Sequence, residues 1–235
     1  MSTISQEPPL AKQNAAKAAA DLVQSGMAVG LGSGTTAALV VRAISDRIAA
    51  EGLKIIGVPT SVATAELASA LSIPLRQLDD IESLDINLDG ADEVDSQFRM
   101  IKGRGGAFLR EKIVASVARR RVTVITPEKQ VTQLGLLAPI PVEISRIGPH
   151  HIERRIRDLG ALTTLRANPD GSPYITDGGN LILDCHFQAG NDPALVDSLL
   201  KQTVGVFETG IFLNLCDLLI VGHENRVELL ESHVR

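Results

Sequence analysis

The stretch Met27-Ala28-Val29-Gly30-Leu31-Gly32-Ser33-Gly34-Thr35-Thr36 decides the fold class of this chain. Residues 27–31 form a short apolar run typical of a buried strand, and the glycines that follow predict a tight turn. A helical pattern of apolar residues continues over 37–50. A strand, a glycine-rich turn and a helix in this order place backbone N–H groups at a helix N-terminus, an arrangement that suits phosphate.

The turn at Gly30 to Thr36 is similar to two glycine-rich nucleotide-binding motifs, but its sequence matches the pattern of neither. A dinucleotide-binding loop has the pattern Gly-x-Gly-x-x-Gly, but Thr35 occupies the position of its third glycine. A Walker loop requires a lysine, and the turn contains none. The hydroxyls of Ser33, Thr35 and Thr36 beside bare amides suit one phosphate monoester. The alternative is a structural turn in which Ser33 or Thr35 caps the helix, and the turn alone leaves both interpretations open.

Helix and strand patterns alternate through the first half of the chain. We predict helices at 11–24, 37–50, 62–72 and 108–120, with Gly26 as the stop of the first. We predict strands at 27–31, 54–58, 86–88 and 122–126. Such alternation is typical of a parallel, doubly wound sheet that binds its ligands at the carboxyl ends of the strands.

The pattern changes near residue 139. Strands predicted at 142–145, 162–166, 181–187 and 204–207, with helices at 149–159 and 193–200, follow the order β-α-β-β-α-β of a ferredoxin-like domain. Residues 218–221, followed by 226–230, are expected to rejoin the first sheet. We therefore predict an α/β fold with a Rossmann-like domain at 1–138, a smaller ferredoxin-like α+β lid domain at 139–205, and a return segment at 206–235.

The composition is that of an ordinary globular protein. The 235 residues are 44% hydrophobic and 22% charged, enough for one large or two modest domains. A net charge of -5 argues against nucleic-acid binding, and the basic run Arg119-Arg120-Arg121 is expected to end a helix. No stretch reaches the roughly 18 uncharged residues of a membrane span, and Met1 to Pro9 is polar, so we expect a cytoplasmic protein. Cys185 and Cys216 are too far apart for a metal or redox pair and are expected to be buried thiols.

A second group of chemically active residues lies between Asp89 and Glu111. It comprises Asp89-Gly90-Ala91-Asp92-Glu93, Lys102-Gly103-Arg104-Gly105-Gly106 and Arg110-Glu111-Lys112. Apolar residues interleave with these charges and draw the segment toward a core. Carboxylates, an ammonium and flexible backbone in one segment indicate proton transfer on an anionic intermediate. Glu93 and Asp95 are expected to be solvated.

Each charged residue of this segment has a functional and a structural interpretation. Asp89 follows a predicted strand, which aims it into the crevice, whereas Asp92 either shares that crevice or belongs to an ordinary turn. Lys102 precedes glycines that let the backbone approach a ligand, or else lies on the surface. Glu111 lies near a helix start, where the helix dipole favours its charged form and burial its neutral form.

Six motifs, taken together and in order, resemble the ribose-5-phosphate isomerase family, type A. They are Gly32-Ser33-Gly34-Thr35-Thr36, Asp89-Gly90-Ala91-Asp92-Glu93, Lys102-Gly103-Arg104-Gly105-Gly106, Arg110-Glu111-Lys112, Pro141-Val142-Glu143 and Thr176-Asp177-Gly178-Gly179-Asn180. The resemblance runs from about Ala11 to Leu230. It implies a Rossmann-like domain with a ferredoxin-like lid, and interconversion of D-ribose 5-phosphate and D-ribulose 5-phosphate in the non-oxidative pentose phosphate pathway. It also implies no metal or other cofactor, and a homodimer or homotetramer.

The resemblance assigns roles to individual residues. Glu111 matches the base that moves a proton between C1 and C2, and Lys102 with neighbouring amides matches the groups that stabilise the enediolate. Asp89 matches the residue that assists ring opening, with Asp92 beside it. The substrate-binding positions are Gly32, Ser33, Gly34, Thr35, Thr36, Gly103, Gly105, Gly106, Lys12 and Lys129. The sequence departs from the bacterial form in two places. Arg104 replaces a glycine and either contacts a phosphate or hydroxyl or, as we expect, faces solvent; Pro59-Thr60 replaces serines in a loop near the site.

Three other functions are alternatives to the isomerase. An acyl-CoA transferase would use a glutamate as nucleophile, and hydroxylamine would trap its thioester. A sugar-phosphate sensor would carry a basic DNA-binding helix, which this acidic chain lacks before residue 27. A sugar-phosphate deaminase would release ammonia. The histidines lack the spacing of a zinc site; they are His150, His151, His186, His223 and His233.

Overall fold

The computed structural model describes residues 8–188 and 190–232. Residues 1–7 of the polar N-terminal segment and His233 lie outside this part. The helices are α1 Leu10–Ala20, α2 Thr35–Glu51, α3 Val62–Ala70, α4 Phe108–Val117, α5 Pro149–Asp158 and α6 Pro193–Lys201. The strands are β1 Ala28–Leu31, β2 Ile56–Pro59, β3 Leu84–Gly90, β4 Glu93–Val94, β5 Met100–Ile101, β6 Ala118–Ile125, β7 Ile140–Ile144, β8 Leu162–Leu165, β9 Leu181–His186, β10 Val206–Thr209, β11 Ile211–Phe212, β12 Leu218–Gly222 and β13 Val227–Glu231.

The largest sheet has the strand order β13-β12-β6-β3-β1-β2. All neighbours pair in parallel except the edge strand β13, which is antiparallel to β12. From β1 the chain passes to β2 on one side and then to β3 on the other, so the strand order reverses between β1 and β3. Ligands bind at such a reversal in open α/β sheets. The predicted Rossmann-like sheet is confirmed, and β12 lies in it beside β6.

Helices cover both faces of this sheet. On one face, small residues of α1 such as Ala15 and Ala19 pack with Val40 and Ile44 of α2 against strand residues such as Leu88. On the other face, α4 packs against β3 and β6. This packing holds α2 and α4 against the sheet. Both helices begin at its carboxyl edge.

The second half of the chain builds an antiparallel sheet of order β10-β7-β9-β8. Its chain order, β7-α5-β8-β9-α6-β10, is the predicted ferredoxin-like arrangement. Ile156, Leu183 and Leu200 belong to its core. The sheet continues past residue 205, the predicted lid boundary, because β10 pairs with β7 as far as Thr209.

A third sheet, β11-β5-β4, joins the two larger ones and is absent from the sequence prediction. Each of its strands has two residues, too few for a recognisable alternation of apolar and polar side chains. Ile211 pairs with Ile101 in this sheet, and the Lys102 N–H donates to the Gly210 carbonyl at 2.9 Å. The return segment therefore supports the lysine directly.

The prediction that Arg119-Arg120-Arg121 ends a helix is wrong. Helix α4 ends at Val117, three residues before the predicted end, and the arginines lie in β6. Each arginine has an acidic partner that is distant in sequence. The partners are Asp85 for Arg119, Glu231 for Arg120 and Asp217 for Arg121. These ion pairs, together with the parallel pairing of β6 with β3, favour the extended conformation over a continuation of helix α4.

The prediction that Glu93 and Asp95 are solvated is also wrong, because both are buried. Glu93 accepts hydrogen bonds from three backbone amides, those of Gly135, Leu137 and Ala138. Asp95 accepts from the Arg99 Nε at 2.6 Å and from two amides of its own turn. Their charges are thus satisfied by fixed donors, which compensates burial.

Helix α1 ends at Ala20 and not at the predicted residue 24. The amides of Leu22 and Val23 donate to carbonyls three residues back, which tightens the chain after α1. Cys185 and Cys216 are buried thiols, as predicted, and burial raises the pKa of Cys185 to about 12 and that of Cys216 to about 11. Within 8–188 and 190–232, every helix is too short or too polar to cross a membrane.

Candidate active site

A cavity of about 390 Å³ lies at the carboxyl ends of β1 and β3. Leu31 pairs with Leu88, so the chain segments that leave these two strands are neighbours. The cavity is lined by Lys12, Ser33, Gly34, Thr35, Thr36, Gly90, Ala91, Asp92, Lys102, Gly103, Arg104, Gly105, Glu111 and Lys129. Most predicted site residues therefore meet in one place. A larger cleft of about 900 Å³ lies between α1 and α2, but none of its lining residues belongs to the predicted site.

The ammonium of Lys102 lies between two buried carboxylates. Its Nζ is 2.8 Å from Asp89 Oδ2 and 3.3 Å from Glu111 Oε2, and it donates to the Gly90 carbonyl at 2.6 Å. All three side chains are less than 10% exposed. Among the described residues, Asp89 Oδ2 and Glu111 Oε2 accept no hydrogen bond of good geometry, although both lie close to the ammonium. Buried acceptors in this state are rare outside functional sites.

This arrangement shifts the pKa of both Glu111 and Lys102. Burial, with the charge of Asp89 added, raises the pKa of Glu111 to about 8, although Lys102 opposes the rise. Burial alone would lower the pKa of Lys102, but Asp89 and Glu111 overcome it and raise that pKa above its usual range. Lys102 therefore stays charged, while Glu111 exchanges protons near neutral pH. These are the properties of a fixed cation beside a general base.

The turn after β1 supplies donors for an anion. Helix α2 begins at Thr35, and no side chain caps its first turn. The first N–H groups of an α-helix have no helical acceptors, so without a capping side chain those of α2 remain available at the cavity, which Thr35 and Thr36 line. Lys12, 3.5 Å from the Thr35 hydroxyl, and Lys129 add positive charge to the same cavity.

Ser33 lines the cavity, and its hydroxyl also belongs to a cluster of hydroxyls. Its Oγ lies 2.8 Å from the Thr60 hydroxyl and 2.7 Å from the Ser61 hydroxyl, and its N–H donates to Asp89 at 3.1 Å. Thr64 completes this hydroxyl cluster, donating to the Gly32 carbonyl at 2.9 Å. The cluster ties the turn to the start of α3, so Ser33 shapes the loop. The sequence singled out Thr60 only as a departure from the bacterial form and gave no sign of Ser61 or Thr64, because these hydroxyls converge only in the folded chain.

Gly32 and Gly106, both predicted to bind substrate, do not line the cavity. Their amides are already occupied, donating to the Leu88 and Gly103 carbonyls at 3.0 Å each. A Cβ on Gly32 would lie 2.6 Å from the Asp89 Cα, so the glycine permits the close approach of the turn to β3. Gly32 therefore sets the position of Asp89.

Asp92 lines the cavity and contacts the glycine-rich segment opposite. Its Oδ2 accepts from the Arg104 amide at 2.9 Å. The Arg104 side chain is 62% exposed, and its Nε is 4.0 Å from Asp92 Oδ1. The guanidinium faces solvent, as predicted.

A contact missed by sequence reasoning joins the smaller domain to this site. Asp177, in the loop before β9, accepts from the Val62 amide at 2.8 Å and pairs with Arg110 at 3.4 Å. The loop itself is held by Glu143, which accepts from Thr176 at 2.8 Å and Asn180 at 2.9 Å. The sequence singled out the motif Thr176-Asp177-Gly178-Gly179-Asn180, but it did not indicate which residues this motif contacts.

The described part of the chain contains no group of three or more histidine, cysteine, aspartate or glutamate side chains placed to hold a metal ion. The acidic residues of the site contact a lysine and backbone amides instead. The residues present therefore do not form a metal centre in this part of the chain.

Comparisons with known proteins agree with this geometry. The model of the family Ribose 5-phosphate isomerase A (phosphoriboisomerase A) matches residues 56–226. Ribose-5-phosphate isomerase A of Thermomicrobium roseum is 49% identical over 222 residues, which cover 94% of this chain and 93% of the relative. The corresponding protein of Roseiflexus castenholzii is 46% identical over 94% of this chain and 95% of its own length.

Solved structures show the same fold. Ribose 5-phosphate isomerase A of Methanocaldococcus jannaschii superposes with a TM-score of 0.90 at 37% identity, covering 94% of this chain and 98% of that one. A D-ribose-5-phosphate isomerase in complex with phospho-erythronic acid also gives 0.90, at 34% identity, covering 94% and 97%. By sequence, fold and the order of its motifs, this chain belongs to the ribose 5-phosphate isomerase A family.

Proposed function

We propose that this protein interconverts D-ribose 5-phosphate and D-ribulose 5-phosphate through an enediolate. The observation that carries the proposal is the position of Lys102 between the buried carboxylates of Asp89 and Glu111, on the wall of a cavity with an anion site. Membership of the isomerase family supports the same substrate pair.

The phosphate would bind where α2 begins. The uncapped amides of its first turn, the Thr35 and Thr36 hydroxyls, and Lys12 and Lys129 offer donors and positive charge there. An anion is favoured at a helix N-terminus by both the amides and the dipole. Bound in this way, the sugar would extend across the cavity toward Glu111.

Glu111 would act as the base. The reaction removes a proton from C2 of the open-chain aldose and returns one to C1, while the carbonyl moves from C1 to C2. A carboxylate with a pKa of about 8 accepts a carbon-bound proton better than an ordinary glutamate, because its basicity is higher. Asp89, beside the same lysine, would assist ring opening and proton transfer between hydroxyls.

Lys102 and the amides of Gly103 and Gly105 would stabilise the enediolate oxygen. The ammonium is buried and already oriented by Asp89 and the Gly90 carbonyl, so little reorganisation accompanies the appearance of negative charge. Asp92 holds the Arg104 amide in the same segment.

The direct test is ketose formation from ribose 5-phosphate by the purified protein. We expect turnover with ribose 5-phosphate, no hydroxylamine-trapped thioester and no ammonia release from amino sugar phosphates. Absence of ketose under these conditions would reject the isomerase, and a trapped acyl adduct or released ammonia would favour a rival.

Thr36→Ala is expected to raise KM for ribose 5-phosphate about fivefold while kcat changes less than about twofold. A hydroxyl bound to phosphate contributes roughly 1 kcal/mol and does so equally in the ground and transition states. Steady-state kinetics measure both constants. Thr203→Ala, in the smaller domain, is the matched control. An unchanged KM in the Thr36 variant would remove this hydroxyl from the phosphate site.

Treatment with EDTA is expected to leave the initial rate unchanged. Charge stabilisation here is assigned to Lys102 and backbone amides, which a chelator does not remove. The rate is compared before and after dialysis against EDTA. A loss of activity that a divalent cation restores would contradict this assignment.

We also propose a cytoplasmic location and a homodimer or homotetramer. The free buried cysteines suit a reducing compartment. Exposed apolar residues on edge strand β13, Leu229 and Leu230, support association. Cell fractionation tests the location, and light scattering coupled to gel filtration measures the mass of the assembly.

A further inference from the structure

The glycine-rich segment after Lys102 is held from the smaller domain. Arg166, directly after β8, donates from Nη1 to the Gly103 carbonyl at 2.7 Å and to the Arg104 carbonyl at 3.2 Å. The Tyr174 hydroxyl donates to the Gly105 carbonyl at 3.1 Å. Three consecutive carbonyls of the segment are thus bound by two side chains of the smaller domain.

These two side chains are themselves fixed. Arg166 forms a two-pronged ion pair with Asp184 of β9, with Nε at 2.9 Å and Nη2 at 2.5 Å from its carboxylate oxygens. The guanidinium carbon lies 6.0 Å from the centre of the Tyr174 ring. Arg166 and Asp184 are 14% and 20% exposed, so the pair is partly shielded from water and holds a defined geometry.

Holding the carbonyls also orients the amides. In a trans peptide the N–H of one residue points opposite to the carbonyl of the residue before it. The Gly103 carbonyl faces Arg166, and the following Arg104 N–H accordingly donates to Asp92 on the other side. The Arg104 carbonyl faces Arg166 too, so the Gly105 N–H points away from Arg166. Gly105 lines the cavity, and among the described residues its N–H has no hydrogen-bond partner.

The segment has little preference for this conformation by itself. Gly103 and Gly106 adopt positive φ values of 116° and 80°, and glycine leaves many other conformations open. At Gly106 a Cβ would lie 2.4 Å from the Tyr174 hydroxyl, so the tyrosine and the segment are in direct contact. The orientation of the amides therefore depends on contacts from outside the segment.

We propose that Arg166 and Tyr174 are positioning residues for the Gly105 amide. Arg166 sets the direction of this amide through the Arg104 carbonyl, Tyr174 holds the next peptide through the Gly105 carbonyl, and together they aim the Gly105 N–H at the anionic oxygen of the reaction intermediate. The inference rests on the proposed isomerase function and extends it, since it assigns the smaller domain a part in catalysis. Neither side chain needs to touch the substrate. Asp184 takes part by fixing Arg166.

The test uses the full-length protein with two variants. Arg166→Met/Asp184→Asn removes the ion pair without leaving an unpaired charge, and Tyr174→Phe removes one hydroxyl while retaining the ring. We expect kcat to fall about tenfold to a hundredfold in the first and about threefold to tenfold in the second, with KM nearly unchanged. The control is Arg157→Met, which breaks the Arg157–Glu153 pair of the same domain at a distance from the segment and should leave kcat and KM unaltered.

Binding measurements separate positioning from general damage. Phospho-erythronic acid carries a carboxylate where the enediolate has its charge, whereas ribitol 5-phosphate keeps the phosphate and hydroxyls without that charge. By calorimetry, both variants should lose affinity for phospho-erythronic acid by about the factor lost in kcat, and retain affinity for ribitol 5-phosphate.

A kcat within twofold of the parent protein in both variants would overturn the inference, as would equal loss of affinity for the two compounds. If the double variant does not fold, Tyr174→Phe decides by the same criteria. A parent protein that binds phospho-erythronic acid but does not isomerise ribose 5-phosphate would reject the proposed function instead, and the two binding assays would still test the orientation of the amide.

Discussion

Glu111→Gln is expected to reduce kcat for ribose 5-phosphate by at least about 10²-fold, with a smaller change in KM. The amide has nearly the shape of the carboxylate but cannot accept the proton from C2, and a positioned base contributes about 10²–10⁴-fold. Steady-state kinetics of ketose formation measure the loss. Glu66→Gln, an exposed position on α3, is the matched control. Near-normal turnover in a folded Glu111 variant would reject this residue as the base.

The pH dependence gives an independent test of the same assignment. Since burial raises the pKa of Glu111 to about 8, the parent protein should gain kcat/KM as pH rises toward 8 and the carboxylate forms. The residual activity of Glu111→Gln should lack this rise. A parent profile that is flat between pH 6 and about pH 9 would contradict the assigned pKa.

The same pKa predicts an effect on stability of known sign. A raised pKa in the folded state means that the folded protein holds the proton more tightly than the unfolded chain, so the stabilisation is present at low pH and is lost as pH rises through about 8. Glu111→Gln cannot lose a proton. We therefore expect thermal unfolding to show that the variant is more stable than the parent protein above pH 8. Such a result would also exclude misfolding as the cause of the low kcat of the variant.

Lys102→Met is expected to lower kcat by about 10²–10³-fold. The ammonium contacts both buried carboxylates and is assigned to the developing enediolate charge, and loss of one such preorganised donor has an effect of this size. Lys54→Met, at an exposed lysine, is the matched control. Activity within tenfold of the parent protein would remove Lys102 from the stabilisation of the intermediate.

The Lys102 variant should also shift the pH profile in a defined direction. Lys102 lowers the pKa of Glu111, opposing burial and Asp89, so its removal should raise that pKa above 8. The acidic limb of kcat/KM should move to higher pH. A shift to lower pH would contradict the arrangement in which one cation serves two carboxylates.

Together these variants test whether Lys102 and Glu111 have separate roles, as the cation and the base, in one cavity. Lys102 remains charged because two carboxylates hold its proton, and Glu111 remains basic because burial outweighs the lysine. The segment Gly103 to Gly106 adds amides whose direction is set by Arg166 and Tyr174. The smaller domain therefore bears on the reaction through backbone orientation.

The local sequence determined the main elements of this fold. An apolar run before Gly32 and a helical pattern after Thr36 identified β1 and α2, because strand, turn and helix signals depend on near neighbours in the chain. The order β-α-β-β-α-β after residue 139 was visible for the same reason. Asp89, Lys102 and Glu111 could be singled out because one stretch of 23 residues contains all three.

The predictions that failed depend on partners distant in sequence. Arg121 belongs to a strand because Asp217 lies beside it, and Glu93 is buried because three amides near residue 137 surround its carboxylate. Two-residue strands such as β5 exist only through their pairing. Local patterns carry no information about such partners.

By itself, then, the sequence determined the class of fold through its alternating helix and strand patterns. It also singled out the turn at Gly30 to Thr36 and the charged residues Asp89, Lys102 and Glu111, because each group lies within one short segment. The tertiary structure alone decided the charge state of Glu111 and Lys102, the engagement of Ser33 in a hydroxyl cluster, and the contact of Arg166 and Tyr174 with the segment at Gly103 to Gly106. The physical reason is that burial, electrostatic interaction and hydrogen-bond direction depend on distances in space, which the fold sets by bringing remote parts of the chain together.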